Sequence, residues 1–229
     1  MNQQIERRTF PASALQRDAA GDGKQLAGYA AVFNQWSEDL GGFGFEMREQ
    51  IAPGAFADSL KDGDIRALWN HNPDYVLGRT GAGTLTLRED NTGLWIENTP
   101  PDAQWARDLM ASIQRGDVSQ MSFAFSVIED EFRYDREKDV VYRTLNKVRL
   151  YEVSPVTFPA YTGTSVNVRA GSLSDALLQR AEAFRNQHIG QAAGVNDEQP
   201  PSEGDKRNAE RQAAQAQMRM RVRIAQTEI

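Results

Sequence analysis

All four tryptophans, all six tyrosines and nine of the ten phenylalanines fall within residues 1–169. Large rings supply much of the area that a core can bury, so only this part of the 229-residue chain can build a dense interior. Residues 171–229 carry one ring, Phe184, among many Ala, Gln and Arg. The contrast predicts an N-terminal arm over 1–23, a folded domain over 24–170 and a C-terminal tail over 171–229. Charge divides the same way. The tail balances eight basic against eight acidic residues, so the whole formal charge of −6 belongs to the first 170.

Within the tail, Ser174 is placed to cap a helix through about residue 187, with Leu177, Leu178, Ala181 and Phe184 on one face. Residues 190–205, with Gly194, Pro200, Pro201 and Gly204, read as a flexible linker. A second Ala/Gln/Arg helix over about 206–223 follows, unless that stretch is a solvated, disordered extension.

Several classes are excluded early. The chain has no cysteine, hence no disulfide framework, thiolate nucleophile or cysteine-bound zinc. Its only histidines are His71 and His188, too few for a histidine-rich metal centre, so no metal and no cofactor is expected. The first ten residues are polar, and no run of about 18 apolar residues occurs; the expectation is a soluble protein that stays inside a cell, with no membrane partner. With 32 acidic and 26 basic side chains, general binding to nucleic-acid phosphates is disfavoured. Phosphate loops, HExxH and GxSxG are all absent.

The core region reads as short strands around two helices. Strands are predicted over 26–33, 45–51 and 64–69, with a short helix opening at Pro53-Gly-Ala-Phe and running through Leu60. Asn70-His-Asn-Pro is a turn-forming cluster. Residues 84–88 and 94–98 alternate about Asp90-Asn-Thr-Gly93 as a hairpin. A helix over 102–115 sets Trp105, Leu109 and Ile113 on one stripe and stops at Gly116. In the next strand, 118–128, Met121, Phe123, Phe125 and Val127 share one face, and Ser122, Ala124 and Ser126 the other. A charged hairpin near 134–139 leads to strands over 140–145, 148–158 and 165–169. Strands outnumber helices, which predicts a β-rich α+β fold: a β-barrel or strongly curved sheet flanked by helices.

If this core hydrolyses anything, a serine needs a general base, and that base needs a third group to hold its tautomer. His71 is the only histidine of the core, although a histidine in such a turn is often just a surface residue. Ser122 stands on the small-residue face of a rigid strand, where the alternative is close packing against a helix. Ser119 is the rival nucleophile and ranks second. Glu152, a lone carboxylate in an apolar strand, is the candidate third group; the alternatives are that it faces solvent or pairs with Arg149.

Gly28-Tyr-Ala-Ala-Val-Phe-Asn, Ile51-Ala-Pro-Gly-Ala-Phe, Leu68-Trp-Asn-His-Asn, Val76-Leu-Gly-Arg-Thr, Arg115-Gly-Asp-Val-Ser-Gln-Met-Ser-Phe-Ala-Phe and Tyr151-Glu-Val-Ser-Pro-Val-Thr-Phe-Pro-Ala-Tyr occur in that order. Together, over about residues 26–169, they resemble the prohead (capsid-maturation) serine proteases of tailed bacteriophages, related in fold to the herpesvirus assemblins. The resemblance implies a serine endopeptidase working in the host cytoplasm inside the assembling procapsid. Its implied partners are the major capsid protein precursor with its scaffold segment, and the protease itself as a substrate, with a homo-oligomer left open. His71 matches the family's catalytic histidine, Ser122 its nucleophile and Glu152 its acidic third member, a role that a second histidine fills in the herpesvirus relatives. The alternatives are an inactive procapsid scaffolding or structural protein with the same fold, and a small-ester hydrolase. His188 has no catalytic part in this reading. The tail is expected to be cut off by the enzyme itself, because an extended Gly/Pro-rich linker is readily proteolysed.

Overall fold

The structure is a computed structural model that describes residues 4–11, 16–17, 25–40, 44–158 and 175–190. Ten strands and three helices follow in the order β1 (Glu6–Pro11), β2 (Gln16–Arg17), β3 (Leu26–Val32), β4 (Glu46–Ile51), α1 (Ala57–Asp62), β5 (Arg66–Trp69), β6 (Asn72–Arg79), β7 (Leu85–Glu89), β8 (Gly93–Asn98), α2 (Gln104–Arg115), β9 (Gln120–Asp135), β10 (Val140–Val156) and α3 (Asp175–Gly190). The strand expected over 165–169, the helix over 206–223 and all of the linker expected over 190–205 except Gly190, the last residue of α3, lie outside the described residues.

The β-rich α+β expectation holds, but the barrel does not. The strands form two sheets: β1-β9-β10-β5-β6, with β4 also on β10, and β2-β3-β8-β7. The long strand β10 explains the open form. One of its edges is taken by β9, and the other is shared between two parallel partners, β4 beside Val140 to Leu145 and β5 beside Glu152 and Val153. The first sheet thus ends at β1 and β6 and the second at β2 and β7, and no ladder joins these edges among the described residues. A barrel needs such a ladder all the way round.

The larger of two apolar clusters joins both sheets and α2. Leu26, Ala30, Leu94 and Ile96 come from the smaller sheet, Phe123, Phe125, Val148, Leu150 and Val153 from the larger, and Ala106, Leu109, Met110 and Ile113 from α2. The helical stripe read from the sequence is therefore the buried face. Gly116 ends α2 at φ +84, a left-handed C-cap that glycine adopts without strain. Gly93 is fixed by space: a Cβ there would lie 2.0 Å from the Ala31 carbonyl oxygen across the β3–β8 ladder.

Two strands carry too little regular apolar alternation to be read from the sequence. Strand β6 was legible only as the turn before it, because Pro73, Asp74, Tyr75 and Val76 are exposed on a sheet edge, where proline is tolerated. Strand β1 arises from the segment read as an arm. It pairs antiparallel with β9 from Glu6 opposite Phe125 to Pro11 opposite Gln120. Its polar residues enter an ion cluster in which the Arg143 side chain, 1% exposed, meets Glu6 at 3.0 Å, Glu49 at 2.8 Å and Asp130 at 2.7 Å. Arg8 adds bonds to Glu49 and Glu6.

The part of α3 up to Arg185 packs beside the turn of the β9–β10 hairpin. Leu177 and Ala181 are buried with Leu40, Met47 and Val141. Arg180 pairs with Asp130 and Arg185 with Asp139, each at 2.7 Å.

Candidate active site

The imidazole-bearing turn is a two-residue hairpin. Trp69 of β5 pairs with Asn72 of β6, and the residues between them, Asn70 and His71, have φ of +54 and +58. Positive φ at both central positions is what a type I′ hairpin turn requires. Asparagine tolerates that region well, and histidine better than most side chains. The turn is stitched to the end of β10: Asn70 N–H donates to the Pro155 carbonyl at 3.1 Å, Thr157 N–H donates to Asn70 Oδ1 at 2.8 Å, and His71 N–H donates to Ser154 Oγ at 3.2 Å.

The carboxylate reaches the same place through a bulge. Residues directly opposite each other in an antiparallel ladder share a face. Leu150 lies opposite Phe125 and Val153 opposite Phe123, all in the core, whereas Glu152 lies opposite Ala124 and Ser154 opposite Ser122. Simple alternation would have put Glu152 on the side of Val148 and Leu150. The extra residue between Leu150 and Glu152, Tyr151, shifts the register by one and turns Glu152 onto the Ser122 face.

The three residues singled out in sequence are thereby brought together. Glu152 Oε1 lies 2.5 Å from His71 Nδ1, and His71 Nε2 lies 2.8 Å from Ser122 Oγ. A carboxylate oxygen only accepts, so Nδ1 carries the hydrogen and Nε2 is left as the acceptor facing the serine. Glu152 is 8% exposed and bonded to His71, while Arg149 stacks over the Tyr151 ring instead. Ser119 is exposed ahead of β9 and has no hydrogen bond to His71 or Glu152. No group of metal-binding side chains occurs among the described residues.

Two neighbours of the site were not read from the sequence. Ser154, fully buried, donates to Glu152 Oε2 at 2.6 Å. Its one legible signal was its place two residues beyond Glu152, on the same strand face. Ser122 Oγ also lies 3.0 Å from the backbone carbonyl of Arg8. The hydroxyl has one hydrogen and two acceptors within reach, so transfer to His71 requires it to turn from the Arg8 carbonyl to Nε2. Ser122 is fully buried.

A hydroxyl, an imidazole and a carboxylate in one hydrogen-bonded line are the arrangement of a serine hydrolase. Residues 12–178 match the family model described as caudovirus prohead serine protease, and the chain belongs to that family of serine proteases. It is 32% identical over 172 residues to the prohead protease of Enterobacteria phage HK97, covering 72% of this chain and 67% of that protein. It is also similar to the solved structure of the bacteriophage T4 capsid assembly protease, gp21, with a TM-score of 0.41 and 12% identity over 69% of this chain and 100% of that one.

Proposed function

We propose that Ser122, His71 and Glu152 are the catalytic residues of a serine endopeptidase that cleaves the scaffold segment from the capsid protein precursor, and its own tail, inside the procapsid. The unbroken line Glu152–His71–Ser122 at hydrogen-bond distances, in a chain of this protease family, carries the reading.

The chemistry is acyl transfer. His71 Nε2 takes the Ser122 proton as Oγ attacks the scissile carbonyl, and the resulting imidazolium is held by Glu152 through Nδ1–H. The same imidazolium gives its proton to the departing amine. Water then enters, loses a proton to Nε2 and releases the acyl group.

Because Glu152 orients the ring without exchanging the proton, Glu152→Gln is expected to retain partial activity. Its kcat should fall by roughly 10²- to 10⁴-fold, the upper limit being the loss for an amide that imposes the wrong tautomer. Cleavage of purified capsid precursor, followed by gel densitometry, measures it, and wild-type rates in Glu152→Ala would remove this residue from the site.

Self-processing has its own readout. In assembling particles, mass spectrometry should find the wild-type chain shortened within its last 59 residues, 171–229, and Ser122→Ala intact. Equal trimming of both chains would assign the cut to another protease, and an untrimmed wild type would refute self-removal.

A further inference from the structure

We propose that Ser154 is a positioning residue of the catalytic site: its hydroxyl ties the backbone of the His71 turn to the Glu152 carboxylate and so fixes the orientation of both partners of the imidazole. The inference deepens the triad reading above and rests on it.

Hydrogen-bond bookkeeping dictates the direction of each contact. The His71 backbone N–H can only donate, so at 3.2 Å it must be Ser154 Oγ that accepts. The single Ser154 hydroxyl hydrogen is then free for an acceptor, and Glu152 Oε2 stands 2.6 Å away. One oxygen therefore bonds the base's own main chain and the carboxylate that orients the base. With Oε2 held by Ser154 and Oε1 facing Nδ1, both carboxylate oxygens have a fixed partner and rotation about the last side-chain torsion is blocked.

The placement is enforced by the sheet. Ser154 lies directly opposite Ser122 in the β9–β10 ladder and two residues beyond Glu152, past the bulge that turns this face toward the site. It is 0% exposed, so its contacts are shielded from bulk solvent. The backbone it receives lies in a sparsely populated region, since His71 has φ +58. A turn in that region stays in one form only while its surroundings over-determine it, and the Ser154 contact is one of the bonds that do so. Ser154 touches neither the serine proton nor the scissile bond, and it acts only through Glu152 and His71.

The test is a double-mutant cycle read with a fluorophosphonate that labels an activated serine, on the full-length protein. First, Ser122→Ala must abolish labelling; persistence of label would sink the triad reading itself, separately from the role of Ser154. Given that, Ser154→Ala is expected to lower the maximal labelling rate by about 10- to 100-fold, the equivalent of one hydrogen bond to a charged group, with the half-saturating probe concentration unchanged. In the Glu152→Gln background the same substitution should cost less than about 3-fold, because two groups acting through one unit are not additive.

Equal losses in both backgrounds, tracking a lowered thermal midpoint, would show a structural hydroxyl only and overturn the proposal. If Ser154→Ala does not fold, Ser154→Cys, which keeps the shape and a weak donor, carries the same cycle with an intermediate loss expected. A full wild-type rate in Ser154→Cys and equal factors in both backgrounds would both refute the proposal.

Discussion

Replacing Ser122 with alanine should lower capsid-precursor cleavage by roughly 10⁴-fold or more while leaving the fold intact. Removing the nucleophile takes away the covalent route and leaves only what binding and electrostatics supply. The packing cost is small, because one oxygen is lost from a strand face already made of Ala124 and Ser126. His71→Ala should be similarly damaging, and the double variant no worse than either single one, since the base has nothing to activate without the nucleophile. Purified variants compared by precursor cleavage and by thermal unfolding decide the matter. An active Ser122→Ala beside a dead Ser119→Ala would overturn both the nucleophile and the strand face assigned to it.

The largest stability effect is expected at Arg143. Its guanidinium is almost fully buried among Glu6, Glu49 and Asp130, so Arg143→Met leaves three carboxylates short of their shared cation. Breaking one side of such a cluster costs about 3–5 kcal/mol, enough to erase much of a typical domain's stability. Because β1 is held by this cluster through Glu6 and Arg8, the loss should also free the N-terminal strand that flanks Ser122.

The cluster further predicts acid sensitivity. Burial pushes the Glu6 carboxyl up, but Arg8 and Arg143 outweigh it and hold the group below its ordinary value. For Asp130, burial likewise raises and Arg180 with Arg143 lowers, the net again being downward. Depressed carboxyls stabilise the fold above the unfolded pKa of about 4 and lose that contribution as pH falls through the lower folded value. The stability of the wild type measured by urea unfolding should therefore fall progressively below about pH 4. Arg143→Met should be weaker at neutral pH and show a shallower acid decline. A variant as stable as the wild type would mean that the cluster contributes nothing net.

The tertiary structure explains why such a polar segment is ordered at all. Residues 4–11 contain few apolar side chains, and their composition suggested only an arm. In the sheet, Glu6 and Arg8 are satisfied by partners 41 or more residues away in sequence, Glu49 and Arg143. Local pattern reading registers apolar periodicity, and mutual neutralisation of buried charges leaves no such trace.

The candidate site divides along the same line. Its three residue types were legible because each was anomalous where it stood: the only histidine of the core in a turn motif, a serine on the small face of an aromatic strand, and a lone carboxylate in an apolar one. The family resemblance over separate blocks then joined them. What could not be read was their geometry. Period-two alternation puts Glu152 on the core side with Leu150, and only the register shift at Tyr151 reverses it. Ser154 was visible as a residue, but its two bonds depend on the hairpin from β5 to β6 being laid against the end of β10.

The sequence alone determined the β-rich class, the buried face of α2 and the identity of three candidate residues, because hydrophobic burial and turn chemistry are local properties. The tertiary structure decided that the sheets stay open, that a polar N-terminal segment becomes a strand and that a one-residue bulge aims Glu152 at His71. Strand partnership and register depend on contacts between segments far apart in the chain, and a one-residue slip reverses every face it touches.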